Sequence, residues 1–211
     1  MGVRQNGKNS NPGRKYATKQ FDLGRHYYQL HTGDRGANIQ RSIRCFTEAL
    51  RFFTAETAPL DYARTQNSLG IAYWGLPDGD RAVNLARAIA CFAEALRFRT
   101  AEAAPLDYAM TQYNLGIAYA EILTGDRAAN LARAMECYTE ALRFYTAEAA
   151  PLDYAMTQNT LGLAYWRLPT GDRAVNLARA IECHTEALRF YTAEAAPRDY
   201  AMTQNLSLIH I

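Results

Sequence analysis

The stretch GDRAVNLARAI stands at residues 79–89 and again, letter for letter, at 171–181, with GDRAANLARAM at 125–135 and GDRGANIQRSI at 33–43. All four copies keep one 46-residue period, and that period constrains the 211-residue chain more than any other feature. A unit recurring every 20–50 residues is one supersecondary module that cannot bury its apolar face alone, so copies must stack. Identical interfaces between copies permit identical sequences, which accounts for the duplication. Function is then to be sought in what differs between copies.

One unit reads as two helices. From Pro105, the side chains Tyr108, Leu115, Ala118, Tyr119 and Ile122 recur at helical spacing. A proline in the first helical position loses no needed donor, and Asp107 in the first turn faces the positive end of the helix dipole. The same Pro-Leu-Asp-Tyr opens the units at Pro59 and Pro151, and Pro-Arg-Asp-Tyr opens the last at Pro197. This leading helix is expected to end near Gly79, Gly125 and Gly171, since glycine accepts the left-handed conformation. For the trailing helix, Asp80, Asp126 and Asp172 or the asparagines four residues on suit an N-cap. Asn38, Asn84, Asn130 and Asn176 are the favoured caps, with the aspartates closing a short preceding turn. Beyond Asn84, the residues Leu85, Ala88, Ile89, Phe92, Ala95 and Leu96 trace an apolar stripe, and Arg87, Glu94 and Arg97 form the solvated face.

Gly24, Gly70, Gly116 and Gly162 break the local rule four times, because glycine inside a helix costs about 1 kcal/mol relative to alanine. Close approach of a large side chain from the trailing helix, of the Phe46 or Phe92 type, is the compensation expected.

Charge and cysteine content exclude several classes of function. The 23 basic and 21 acidic side chains nearly cancel, with no run of like charge, so neither nucleic acid nor an anionic membrane surface is an expected partner. The polar N-terminus, MGVRQNGKNSNPGRK, lacks the apolar segment of a secretory signal, and a cytoplasmic location is expected. Residues 1–14 read as a disordered polar tail. Cys45, Cys91, Cys137 and Cys183 fall one per unit at the same place, and a repeat step above about 7 Å would keep neighbours from bridging. They read as small buried apolar residues. His184 adjoins Cys183, but adjacent helical residues point about 100° apart, so no metal site or other cofactor is expected. No nucleophile stands with a base at usable spacing and no glycine loop suits a phosphate, so the chain is not expected to be an enzyme.

Leu69-Gly70, Tyr73, Ala88, Phe92 and Ala95 resemble the signature of the tetratricopeptide repeat, Leu-Gly-x-x-Tyr followed by Ala-x-x-x-Phe-x-x-Ala. The pattern recurs at Leu115-Gly116, Tyr119, Ala134 and Ala141, with Tyr138 in the Phe position. It recurs again at Leu161-Gly162, Tyr165, Ala180 and Ala187, with His184 there, and begins at Leu23-Gly24, Tyr27 and Phe46. The usual unit has 34 residues; the longer period is similar to bacterial long-repeat arrays in the style of kinesin light chains, with each helix lengthened by about a turn. The resemblance spans residues 16–205 within an array placed at 15–205. It implies an all-α, right-handed solenoid of about four stacked antiparallel helix pairs plus a partial helix.

The resemblance also implies a concave groove lined by the leading helices. Counted from the repeat glycine, its residues are Phe21, Arg25 and Tyr28 in the first unit and Arg64, Asn67 and Trp74 in the second. The third supplies Met110, Tyr113 and Glu121, and the fourth Met156, Asn159, Trp166 and Arg167. These positions vary while the core repeats. The expected function is a scaffold for a protein or peptide partner held in extended form. Asn67 and Asn159 would bond its backbone, and Trp74, Trp166 and Tyr28 would anchor apolar side chains. Arg25, Arg64 and Arg167 outnumber Glu121, which favours an acidic or C-terminal ligand. Alternatively, Trp74 and Trp166 pack on the next repeat. A second function class is a structural or sensing arm of a larger bacterial signalling protein, linked to an NTPase or protease, or a spacer that self-associates end to end. At the C-terminus, Leu-Ser-Leu-Ile-His-Ile replaces the expected continuation. It resembles translated sequencing-adapter DNA, so residues 206–211 are read as a truncated or non-native end, an apolar capping half-helix being the alternative.

Overall fold

The structure is a computed structural model describing residues 12–194 and 196–208. Among these residues the chain is all helix: α1 (Pro12–Gln29), α2 (Arg35–Ala49), α3 (Pro59–Gly75), α4 (Arg81–Leu96), α5 (Pro105–Ala120), α6 (Arg127–Leu142), α7 (Pro151–Arg167), α8 (Arg173–Leu188) and α9 (Pro197–Leu208). Each odd helix packs on the even helix that follows, and each even helix packs on the next odd one. The result is a solenoid of four helix pairs plus a partial unit. Helix α1 starts three residues ahead of the expected array boundary; the rest of the expected tail, residues 1–11, lies outside the described residues, as do 209–211.

The odd helices α3, α5, α7 and α9 begin at the four prolines that the sequence marks. Paired helices run antiparallel, because the first turn of the odd helix meets the last turn of the even one. Tyr62 Oη donates to Glu94 at 3.0 Å, Tyr108 Oη to Glu140 at 3.1 Å and Tyr154 Oη to Glu186 at 3.1 Å. Each of these tyrosines also sets its ring edge-on against a phenylalanine just past the even helix, Phe98, Phe144 or Phe190, with centroids 5.6 Å apart. Such pairs add about 0.5–1.5 kcal/mol beyond the area they bury.

The core runs along the stack as a chain of small clusters. Leu85, Ala88 and Phe92 of α4 meet Leu115 and Ala118 of α5, and one repeat later Leu131, Ala134 and Tyr138 meet Leu161 and Ala164. Within each pair the mid-helix glycine lies under a ring, as the sequence implies. A Cβ would stand 2.7 Å from Phe46 at Gly24, 2.6 Å from Phe92 at Gly70, 2.6 Å from Tyr138 at Gly116 and 2.8 Å from the His184 ring at Gly162. The buried ring offsets the backbone entropy that glycine costs.

Two expectations about the connectors are corrected. The odd helices do not reach Gly79, Gly125 or Gly171 but end four or five residues earlier; these glycines, with φ of 81°, 73° and 81°, turn the connector instead. The even helices are capped by Asp34, Asp80, Asp126 and Asp172, not by the asparagines. Asp126, for example, accepts from the Ala128 and Ala129 amides at 2.9 and 3.0 Å. The asparagines lie within the first helical turn and are buried, and each donates back to a connector carbonyl, as Asn84 Nδ2 does to Asp78 O at 2.8 Å. A buried carbonyl in a tight connector needs a donor, and the asparagine supplies it. All four cysteines are free, and desolvation raises the thiols of Cys91 and Cys183 to about 11 and of Cys137 to about 12.

Candidate functional site

Helix α3 touches α1 and α5 as well as its even-numbered neighbours, and the Tyr113 hydroxyl of α5 lies 3.3 Å from that of Thr160 in α7, so these four odd helices form one row. Two hollows lie on that row. A cavity of about 150 Å³ is lined by Arg25, Tyr28, Gln29, Phe46, Ser68 and Ile71, bridging α1 and α3. Ile71 is shared with a second cavity of about 420 Å³, which continues across α5 and α7 through Met110, Tyr113, Asn114 and Met156, with Leu106, Asp107, Tyr145 and Asp153 around it. Together they make a groove across the leading helices, apolar at its floor and varied in its side chains.

The thirteen residues expected to line a groove divide into three groups. Arg25, Tyr28, Met110, Tyr113 and Met156 do line these hollows. Arg64 is exposed, but it is engaged by Asp61 at 3.0 Å and its guanidinium lies 4.3 Å over the ring of Phe21. Arg167 is exposed on the last turn of α7, and Trp166 beside it is half-buried, its carbonyl taken by Arg173.

The remaining five are engaged within the fold rather than free in a groove. Phe21 is 2% exposed and packs on Phe46 in the core, centroids 5.6 Å apart. Asn67 and Asn159 are 2% and 5% exposed, which removes them from contact with a ligand backbone. Asn67 Oδ1 accepts from Asn114 Nδ2 at 3.3 Å across the α3–α5 seam, and Asn159 Oδ1 lies 2.9 Å from Nδ1 of the buried His184. Both amides satisfy polar partners inside the stack. Trp74 and Glu121, both half-buried, engage each other rather than standing free: Trp74 Nε1 donates to Glu121 Oε1 at 3.1 Å, and Arg81 closes on the same carboxylate. That triad ties the second repeat to the third, as the packing alternative for Trp74 has it.

Other residues of the site carried weaker signals. Asn114 lies one turn beyond Met110 and so shares its helix face. Arg99 stands where the other units have Phe53, Tyr145 and Tyr191, and it is only 4% exposed. Its guanidinium donates to Thr111 Oγ1 at 3.1 Å and to the Asp107 carbonyl at 3.4 Å, with the Asp107 carboxylate 3.9 Å away. Burial lowers the pKa of Arg99 against the pull of Asp107, and burial raises the phenols of Tyr113 and Tyr145. Arg99 is thus matched by Thr111 and Asp107 in the wall below the groove, Asp107 and Asp153 present carboxylates at the cavity, and Ile71, Met110 and Met156 supply its apolar contact surface.

No protein-family model matches the chain, and no curated protein matches it. What the architecture defines is a class: a helical-repeat solenoid. Among the described residues no helix is long and apolar enough to cross a membrane.

Proposed function

We propose that this protein is a tetratricopeptide-type scaffold, cytoplasmic and without catalysis of its own, that holds an extended segment of a partner protein along its odd-numbered helices. The observation carrying this reading is the cavity of about 420 Å³ floored by Ile71, Met110, Tyr113 and Met156. Its residues come from three successive repeats, and Tyr113, Asn114 and Tyr145 sit at positions where the repeats differ, whereas Leu106, Asp107 and Asp153 recur and Met110 and Met156 are one residue type at equivalent positions. An apolar side chain seated there buries its surface against a preformed wall, which limits the ordering cost of binding. With Arg64 engaged by Asp61, the cationic character expected of the groove rests on Arg25, which lines the hollow between α1 and α3, while Asp107 and Asp153 line the larger cavity. An acidic or C-terminal ligand would therefore place its carboxylate at the Arg25 end, away from those aspartates.

A display library of random peptides screened against the full chain tests the proposal. Enriched peptides should carry a bulky apolar residue and should bind at least roughly tenfold more weakly when Met110 and Met156 are both changed to Glu. Circular dichroism checks that the variant keeps its helices. If no peptide is enriched and sedimentation shows concentration-dependent oligomers, the spacer reading takes its place.

A further inference from the structure

A second row of clefts lies between the even helices, at the edge where each odd helix turns into the next even one. It recurs three times at equivalent positions. The first cleft, about 520 Å³, includes Ile43, Tyr73 and Leu76, and the third, about 490 Å³, includes Met135 and Leu168. The middle one, about 610 Å³, includes Leu85, Ile89, Tyr119, Ile122 and Leu123. Neither hollow of the groove shares a residue with the middle cleft.

The middle cleft is also where the third repeat departs from the others. Residues 120–124 read Ala-Glu-Ile-Leu-Thr, where the second and fourth units have Trp-Gly-Leu-Pro-Asp and Trp-Arg-Leu-Pro-Thr. Helix α5 accordingly stops at Ala120, with Glu121 in helical conformation as its C-cap, where α3 and α7 are capped by extended Leu76 and Leu168. Leu123 takes the place of Pro77 and Pro169, and it is left 81% exposed at the rim of the cleft. A large aliphatic side chain standing in water beside an apolar hollow is a mark of an interaction surface.

The rim charges indicate the occupant. Arg81 and Glu121 neutralise each other. Arg133 lies 5.8 Å over the ring of Tyr119, and among the described residues it makes no ion pair. We infer that the cleft between α4 and α6 is a second docking site, separate from the groove, for a partner segment that carries a bulky aliphatic residue next to a carboxylate. The aliphatic side chain lies on Leu85, Ile89, Ile122 and Leu123, and the carboxylate pairs with Arg133. Opposite charge on a partly desolvated rim selects acidic over basic segments.

Fluorescence anisotropy of the full chain with a fluorescein-labelled Asp-Leu-Asp-Leu-Asp-Leu peptide tests this, alongside the matching peptide with Lys in place of Asp. The acidic probe should bind saturably and the basic one should not. Leu123→Asp and Arg133→Glu should each weaken binding at least roughly tenfold, whereas Val175→Asp, a change at an exposed apolar residue on α8, should leave it unaltered. Because Leu123 is exposed, its replacement should not shift the thermal melt, which circular dichroism checks. The inference is overturned if the acidic probe fails to bind, if the basic probe binds equally, or if Met156→Glu in the groove abolishes binding and Leu123→Asp does not. It is also overturned if sedimentation shows a dimer of this chain that Leu123→Asp dissolves.

Discussion

A Cβ added to Gly116 would meet Cε1 of Tyr138 at 2.6 Å and the Ala134 carbonyl at 3.1 Å, and the Tyr138 ring is fully buried. The ring has nowhere to move, so Gly116→Ala should lose about 1–3 kcal/mol through overpacking, although alanine is the better helix former by about 1 kcal/mol. Gly125 fails for a different reason. Nothing lies within 4 Å of it, but its φ is 73°, so alanine there should cost roughly 1–2 kcal/mol of backbone strain. Urea denaturation of the two variants checks both figures; a stabilised Gly116→Ala variant would remove the steric account of the mid-helix glycine. The repeat position of this glycine was legible in the sequence because glycine in a helix needs a reason. The identity of its ring partner was legible because only the trailing helix of the same unit offers a large side chain at that level.

At the scale of the element, helix starts depend on short-range chemistry, and two kinds of start occur. Helices α3, α5 and α7 rely on Pro in the first turn with an aspartate two residues on and have no side-chain cap hydrogen bond, as at Ala104 before α5. The even helices rely on an aspartate cap. Asp126→Ala should therefore destabilise the chain by about 0.5–2 kcal/mol, while Asp126→Asn should retain most of the stability. Equal losses in the two variants, measured by denaturant titration, would mean that the side chain acts through its charge rather than as a cap. The sequence offered both Asp126 and Asn130 as caps, since either residue type suits the role. What separates them is the course of the connector: Asn130 Nδ2 is drawn to the Thr124 carbonyl at 3.1 Å, which leaves the amides of the first turn to Asp126.

At the scale of the whole molecule, each repeat touches only its neighbours, so opening should begin at the ends of the stack. The four thiols, one per repeat, report on this directly. Desolvation holds Cys91 and Cys183 at about 11 and Cys137 at about 12, against an ordinary 9.0. Thiolate, the reactive form, is therefore scarce in the folded repeats at pH 8. Because the folded chain favours the protonated thiols, their contribution to stability is complete below pH 9 and is lost as the pH climbs toward 11 and beyond. Iodoacetamide labelling at pH 8, read by peptide mass spectrometry, should modify Cys45 and Cys183 of the outer repeats before Cys91 and Cys137 of the inner ones. Equal rates at all four would show that the array opens as one cooperative unit.

The sequence by itself determined the architecture: a 46-residue period, proline-marked helix starts and an apolar stripe on each helix leave stacked helix pairs as the arrangement that buries every copy's exposed face. Those signals are local or are repeated, so one unit explains the others. Only the tertiary structure decided the surface. Periodicity establishes which residues are equivalent, but a small difference in helix rotation decides whether Asn67 meets a ligand or Asn114, and whether Trp74 faces solvent or Glu121. Such differences arise from contacts across the seam between repeats, 47 residues apart in the chain for both pairs, and no pattern within one unit encodes them.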